Sequence, residues 1–127
     1  MSTWQDLLRQ RSITSIEALA ERFGPEHFPA ELHDRLRQAI DNFEFRISPP
    51  MVDLILEPND PIWRQYIPTI QELEVVDGMV DSLQEDRDSP VPNITHRYPD
   101  RALFLVSPVC ACYWRFCTRG RRVGDPE

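Results

Sequence analysis

The chain has 127 residues, a formal net charge of −7 and the apolar content of an ordinary soluble domain. No apolar run approaches the roughly 18–20 residues that span a bilayer, and the opening MSTWQDLLRQRS lacks the apolar core of a signal peptide. These features predict a cytoplasmic, reducing location and no membrane partner, and the net acidity argues against general nucleic-acid binding.

The first two-thirds reads as short helices with clear start signals. Ser2 with Gln5, Thr14 with Glu17 and Thr69 with Glu72 each fit a capping box. Gly24 is placed to end the second helix. The strongest helix is predicted over 30–42, where Leu32, Leu36, Ala39, Ile40 and Phe43 share one face at helical spacing. FEFRI, 43–47, alternates apolar and polar residues, which fits either a short strand or a frayed helix end. Ser48-Pro49 and Asp60-Pro61 each pair a cap with a proline at the first helical position. Residues 77–100 lack periodicity and are rich in Asp, Ser and Pro, as in a long functional or disordered loop. Its acidic run QEDRD, 84–88, is most simply solvated.

RALFLVS follows at 101–107. Ala102 to Val106 is a continuous apolar run, as in a strand buried on both faces of a parallel sheet. Such a strand needs neighbours for its backbone groups. None is evident before it, so the expected architecture is a mostly α region leading into the first strand of a truncated α/β barrel. The expected divisions are 1–76 (helical region), 77–100 (loop) and 101–127 (first strand and the loop after it).

All three cysteines lie just past that strand, at Cys110, Cys112 and Cys117. In a reducing compartment such clustering favours metal ligands or redox groups over disulfides, although a lone cysteine in an apolar stretch is often only a small buried hydrophobe. Between His96 and Arg122 the charge pattern reverses, with arginines at 97, 101, 115, 119, 121 and 122 against the single acid Asp100. This end of the chain either prefers anions or pairs with acids elsewhere. His96 is expected to hydrogen-bond rather than bind metal, and His27 and His33 read as helix-surface residues. Every basic residue is arginine, and the 127 residues contain no lysine.

SPVPNITHRYPDRALFLVSPVCACYWRFCTRGRRVGDPE resembles the lysine 2,3-aminomutase family, a branch of the radical S-adenosylmethionine enzymes. WQDLLRQRSITSIEAL, 4–19, and EPNDPIWRQYIPTIQEL, 57–73, resemble the same family's N-terminal helical region. The family's C-x3-C-x2-C signature falls on Cys110, Trp114 and Cys117, so Trp114 occupies the middle ligand position and Cys112 lies two residues away. The resemblance implies a [4Fe–4S] cluster, S-adenosylmethionine and pyridoxal phosphate as cofactors, and a small amino acid as substrate. It places Arg97, Tyr98 and Arg101 near pyridoxal phosphate, Arg119 on the substrate carboxylate and Phe116 against the adenine. It implies no catalytic residue within this segment, because the lysine that holds pyridoxal phosphate is absent. The expected function is a fragment of an aminomutase-like isomerase, inactive as this isolated chain. The alternatives are a non-catalytic helical metal-binding or interaction module, a homo-oligomer, or a companion chain that completes a barrel.

Overall fold

The computed structural model describes residues 3, 5–6, 11–74 and 78–124. Ser2 of the first predicted capping box lies outside these residues. Thr3 caps instead: the Asp6 backbone N–H donates to Thr3 Oγ1, and the Thr3 N–H donates to Asp6 Oδ2.

Helix α1 spans Ile16–Phe23. Its cap is Ser15, whose hydroxyl accepts from the Ala18 N–H at 3.2 Å, one residue later than the predicted Thr14. Gly24 ends α1 as predicted, at φ 105°, a backbone region that side chains with a Cβ rarely enter. The predicted 30–42 helix begins as a 3-10 turn, Ala30–Leu32, and continues as α2, His33–Asn42, with Leu36 and Ala39 buried. Phe43 leaves the helix with extended backbone and is half exposed. FEFRI is neither a full strand nor a frayed helix. It is extended chain whose Ile47 forms one antiparallel bridge to Ile13 at 2.9 and 3.0 Å. The alternation is still physical, because Phe45 and Ile47 are buried.

One-turn helix α3, Pro49–Val52, starts where the Ser-Pro pair predicts it, and α4, Trp63–Tyr66, starts two residues after Pro61 of the Asp-Pro pair. Asp60 caps α4 by accepting from Trp63 N at 2.7 Å, and three or more backbone N–H groups hold its carboxyl below the usual range. Thr69 and Glu72 form a complete capping box on the 3-10 turn Ile70–Leu73. The core gathers Ile16, Leu19, Leu36, Ile47 and Ile67 around Trp63, which meets Phe23 edge-on at 5.1 Å and stacks on Phe28 at 5.5 Å. His33 is less superficial than expected: its Nε2 lies 2.8 Å from the Phe28 carbonyl.

The largest departure from the sequence reading lies between 78 and 104. This segment is not a structureless loop, and the strand after it does not lack a neighbour. Ile94–Tyr98 forms β1 and Arg101–Phe104 forms β2, paired antiparallel with Ile94 opposite Phe104 and Tyr98 opposite Arg101. Pro99 and Asp100 make the turn, for which proline's fixed φ and the short Asp side chain are suited. A register irregularity between Thr95 and Tyr98 breaks the alternation that would have marked β1. The continuous apolar run is not buried here either, since all four β2 residues are exposed. No helix among the described residues is long and apolar enough to cross a membrane.

Candidate anion pocket and cysteine loop

The hairpin turn is the HRYPDR segment itself. A tight turn brings residues three apart in sequence onto opposed strands, so Tyr98 faces Arg101 directly. The Arg101 guanidinium lies 5.4 Å from the Tyr98 ring centroid and forks onto Asp100, with Nε–Oδ1 at 3.0 Å and Nη2–Oδ2 at 2.9 Å. Arg97 donates from Nη1 to the Leu83 carbonyl at 2.8 Å. Arg119 arrives from beyond the cysteines and donates from Nη2 to Glu85 Oε1 at 2.7 Å. Arg97, Tyr98, Arg101, Arg119 and Glu85 line one cavity of about 390 Å3. The structure thus brings together the four residues that the resemblance assigns to pyridoxal phosphate and the substrate carboxylate.

The acidic loop facing this pocket is not simply solvated. Asp81 accepts from the backbone N–H groups of Glu85 at 3.0 Å and Asp86 at 2.9 Å. The Asp86 N–H leads the effects that hold the Asp81 carboxyl below its usual range, and Arg121 adds to them. Arg121 bridges Asp81 and Asp86, and Arg122 also reaches Asp86, at 2.6 Å. The two readings of the arginine-rich end therefore divide by residue. Arg121 and Arg122 pair with acids of the 81–88 loop away from the cavity, while Arg97, Arg101 and Arg119 border it, Arg101 paired with Asp100 and Arg119 with Glu85.

The cysteine loop is fastened to the helical region by its own backbone. Tyr113 N donates to the Arg46 carbonyl and Arg115 N to the Gln65 carbonyl, each at 2.8 Å. The Tyr113 ring is buried, and burial pushes its hydroxyl above the usual pKa. Arg115 is a residue the sequence reading did not single out. Its side chain is 5% exposed, pairs with Glu72 through two nitrogens, and donates to the Phe43 carbonyl at 2.8 Å. Glu72 was legible only as the acid of a capping box, and one carboxylate serves both roles.

Cys110, Trp114 and Cys117 line a single small cavity of about 60 Å3, together with Tyr113 and Arg115. These are the three positions on which the C-x3-C-x2-C signature falls. All three cysteines are free thiols. Cys112 is directed elsewhere: its sulfur is 2.8 Å from Ser48 Oγ and 3.3 Å from Ser48 N. That contact also occupies the hydroxyl expected to cap α3, which makes no side-chain cap hydrogen bond. Trp114 offers an indole N–H and no ligand atom; its ring lies 5.7 Å from that of Phe116, and both are exposed. Among the described residues no three His, Cys, Asp or Glu side chains converge to hold a metal ion. The thiols present do not fit a cubane that needs three thiolates. The arginine cavity, by contrast, fits an anionic group such as a phosphate.

No model of a known protein family matches the chain. It is 39% identical over 127 residues to L-lysine 2,3-aminomutase of Clostridium subterminale, an alignment covering 98% of this chain and 30% of that protein. It is 48% identical over 125 residues to L-lysine 2,3-aminomutase of Bacillus subtilis (strain 168), covering 96% of this chain and 26% of that protein. Glutamate 2,3-aminomutase of Clostridioides difficile (strain 630) is 37% identical over 95 residues. The chain spans 30% or less of the length of each of these relatives. Similarity at this level over nearly its whole length means that the chain belongs to the lysine 2,3-aminomutase family.

Proposed function

We propose that these 127 residues form the N-terminal portion of a lysine 2,3-aminomutase-like isomerase of the radical S-adenosylmethionine type, acting on a small amino acid, and that they supply its anion-recognising arm. The observation that carries this reading is the single cavity gathered from both sides of the cysteine loop by Arg97, Tyr98, Arg101 and Arg119. Arg97 and Arg101 suit a phosphate because each guanidinium can present parallel N–H donors, and Tyr98 adds an aromatic wall. Arg119 is left to take a ligand carboxylate. Pyridoxal phosphate, when bound, supplies the electron sink for amino-group migration. These residues bind and orient it without attaching it, since no lysine is among them.

The cluster loop is the part that does not fit. With thiols only at Cys110 and Cys117 facing the common cavity, and Trp114 between them, no step is assigned to a cluster on this chain. We therefore take the chain as it stands to be inactive. Exposed Phe116 keeps the position suited to an adenine face. Exposed Leu103, Phe104 and Val106 favour further strands beside the hairpin, as in a barrel completed by the rest of the family's length or by a companion chain.

The test is a chimera in which a relative supplies the remaining length and Trp114 is changed to Cys. Arg119→Lys keeps the charge but loses the fork. It should weaken amino-acid binding by about one to two orders of magnitude, the equivalent of losing a charge-assisted hydrogen bond of roughly 1.5–3 kcal/mol, while leaving pyridoxal phosphate loading intact. Arg97→Lys and Arg101→Lys should do the reverse. Equal affinities in all three variants would remove the assignment.

A further inference from the structure

One side chain in the anion pocket has the wrong charge for it. Glu85 is 8% exposed, lines the same cavity as Arg97, Arg101 and Arg119, and its Oε1 accepts from Arg119 Nη2 at 2.7 Å. Its backbone is fixed independently of that contact: its N–H donates to Asp81 Oδ1 at 3.0 Å, and its carbonyl accepts from Ser89 Oγ at 2.6 Å. The side chain can therefore swing away without unravelling the loop. Arg119 is only partly used, for its Nε is buried with no hydrogen-bond partner. A carboxylate seated on one N–H of a fork is the arrangement an incoming carboxylate or phosphate would itself seek. The neighbouring cations are already compensated differently: Arg101 by Asp100, and Arg97 by a neutral carbonyl.

We propose that Glu85 is a resident competitor in the anion pocket, a specificity-determining carboxylate that an entering anion must displace from Arg119. This rests on the pocket reading given above. Glu85 raises the threshold for entry. A weakly held monoanion gains too little from Arg119 alone to expel it, whereas free inorganic phosphate, not tied to a cofactor ring on Arg97 and Arg101, can engage Arg119 together with them and gains from three guanidinium groups. Glu85 thereby favours ligands that engage the whole pocket over those that reach Arg119 only.

The test is titration of the 127-residue chain with inorganic phosphate, followed by calorimetry. Glu85→Gln keeps the shape and removes the charge, and should tighten phosphate binding on the order of tenfold, the scale of one charge-assisted hydrogen bond. Asp86→Asn removes an equal charge at the next residue, from an acid that serves Arg121 and Arg122 and does not line the cavity, and should leave the affinity unchanged. Equal tightening by both variants would mean a general charge effect and would overturn the proposal. So would unchanged or weaker binding by Glu85→Gln while Arg101→Ala still abolishes it, a result that leaves the pocket reading standing. Failure of both wild type and Glu85→Gln to bind phosphate would overturn the pocket reading together with the proposal. If Glu85→Gln does not fold, the carboxyl carbon resonance of Glu85 in the wild-type chain decides. It should move toward that of a solvated glutamate as phosphate saturates, and an unmoved resonance in a phosphate-bound chain would overturn the displacement.

Discussion

Trp114→Cys should convert a chain that retains almost no cluster after anaerobic reconstitution into one that holds about four irons and four sulfides. The expectation follows from geometry, because residue 114 already shares a cavity with Cys110 and Cys117. A third thiol at that position supplies the three-thiolate set that the signature requires, and removing the half-exposed indole opens room. Cys112 gives the internal control. Its sulfur is hydrogen-bonded to Ser48 and does not line that cavity, so Cys112→Ala should leave the iron and sulfide content of the Trp114→Cys chain unchanged. Equal incorporation by wild type and Trp114→Cys would show that Cys112 already serves as the third ligand and that the register is wrong.

Arg115→Met should cost about 2–3 kcal/mol of folding stability, a large share of the roughly 5–15 kcal/mol that a domain possesses. The substitution keeps much of the side-chain volume but strands Glu72 beside the loop and leaves the Phe43 carbonyl without its donor. The cost comes from the Glu72 carboxylate, 22% exposed, losing its guanidinium partner while keeping the Thr69 N–H, and from the orphaned Phe43 carbonyl. Arg64 is exposed, and its replacement by Met should change stability by no more than about 0.5 kcal/mol. Urea denaturation measures both. Equal midpoints for the two variants would mean that the Arg115–Glu72 pair contributes nothing to holding the cysteine loop on the helical region.

The helical part was legible in the sequence because its signals are local. Caps, prolines and apolar spacing each act within one turn, so Gly24, Asp60 and Thr69–Glu72 do what their neighbours predict. Shifts such as Thr14 to Ser15 arise where two adjacent hydroxyls could both cap. The hairpin was less legible. Pro99-Asp100 is a turn signal, but the irregularity at Thr95–Tyr98 hides the alternation of β1, and the apolar run of β2 suggests burial that the hairpin alone does not provide. The candidate site was legible as residue types and not as pairings. The motif assigns Arg97, Tyr98, Arg101 and Arg119 a common purpose, and the fold places them on one cavity. The partners of the remaining charges, Arg115 with Glu72 and Arg121 with Asp81 and Asp86, are long-range contacts that no local pattern encodes.

The most direct measurement is the affinity of the 127-residue chain for pyridoxal phosphate, compared with that of an Arg97→Ala, Arg101→Ala double variant. The account predicts saturable, reversible binding to the wild-type chain, with no cofactor retained after borohydride reduction because no lysine is present. It predicts a loss of about tenfold or more in the double variant. Absence of saturable binding, or the same affinity in both chains, would contradict it.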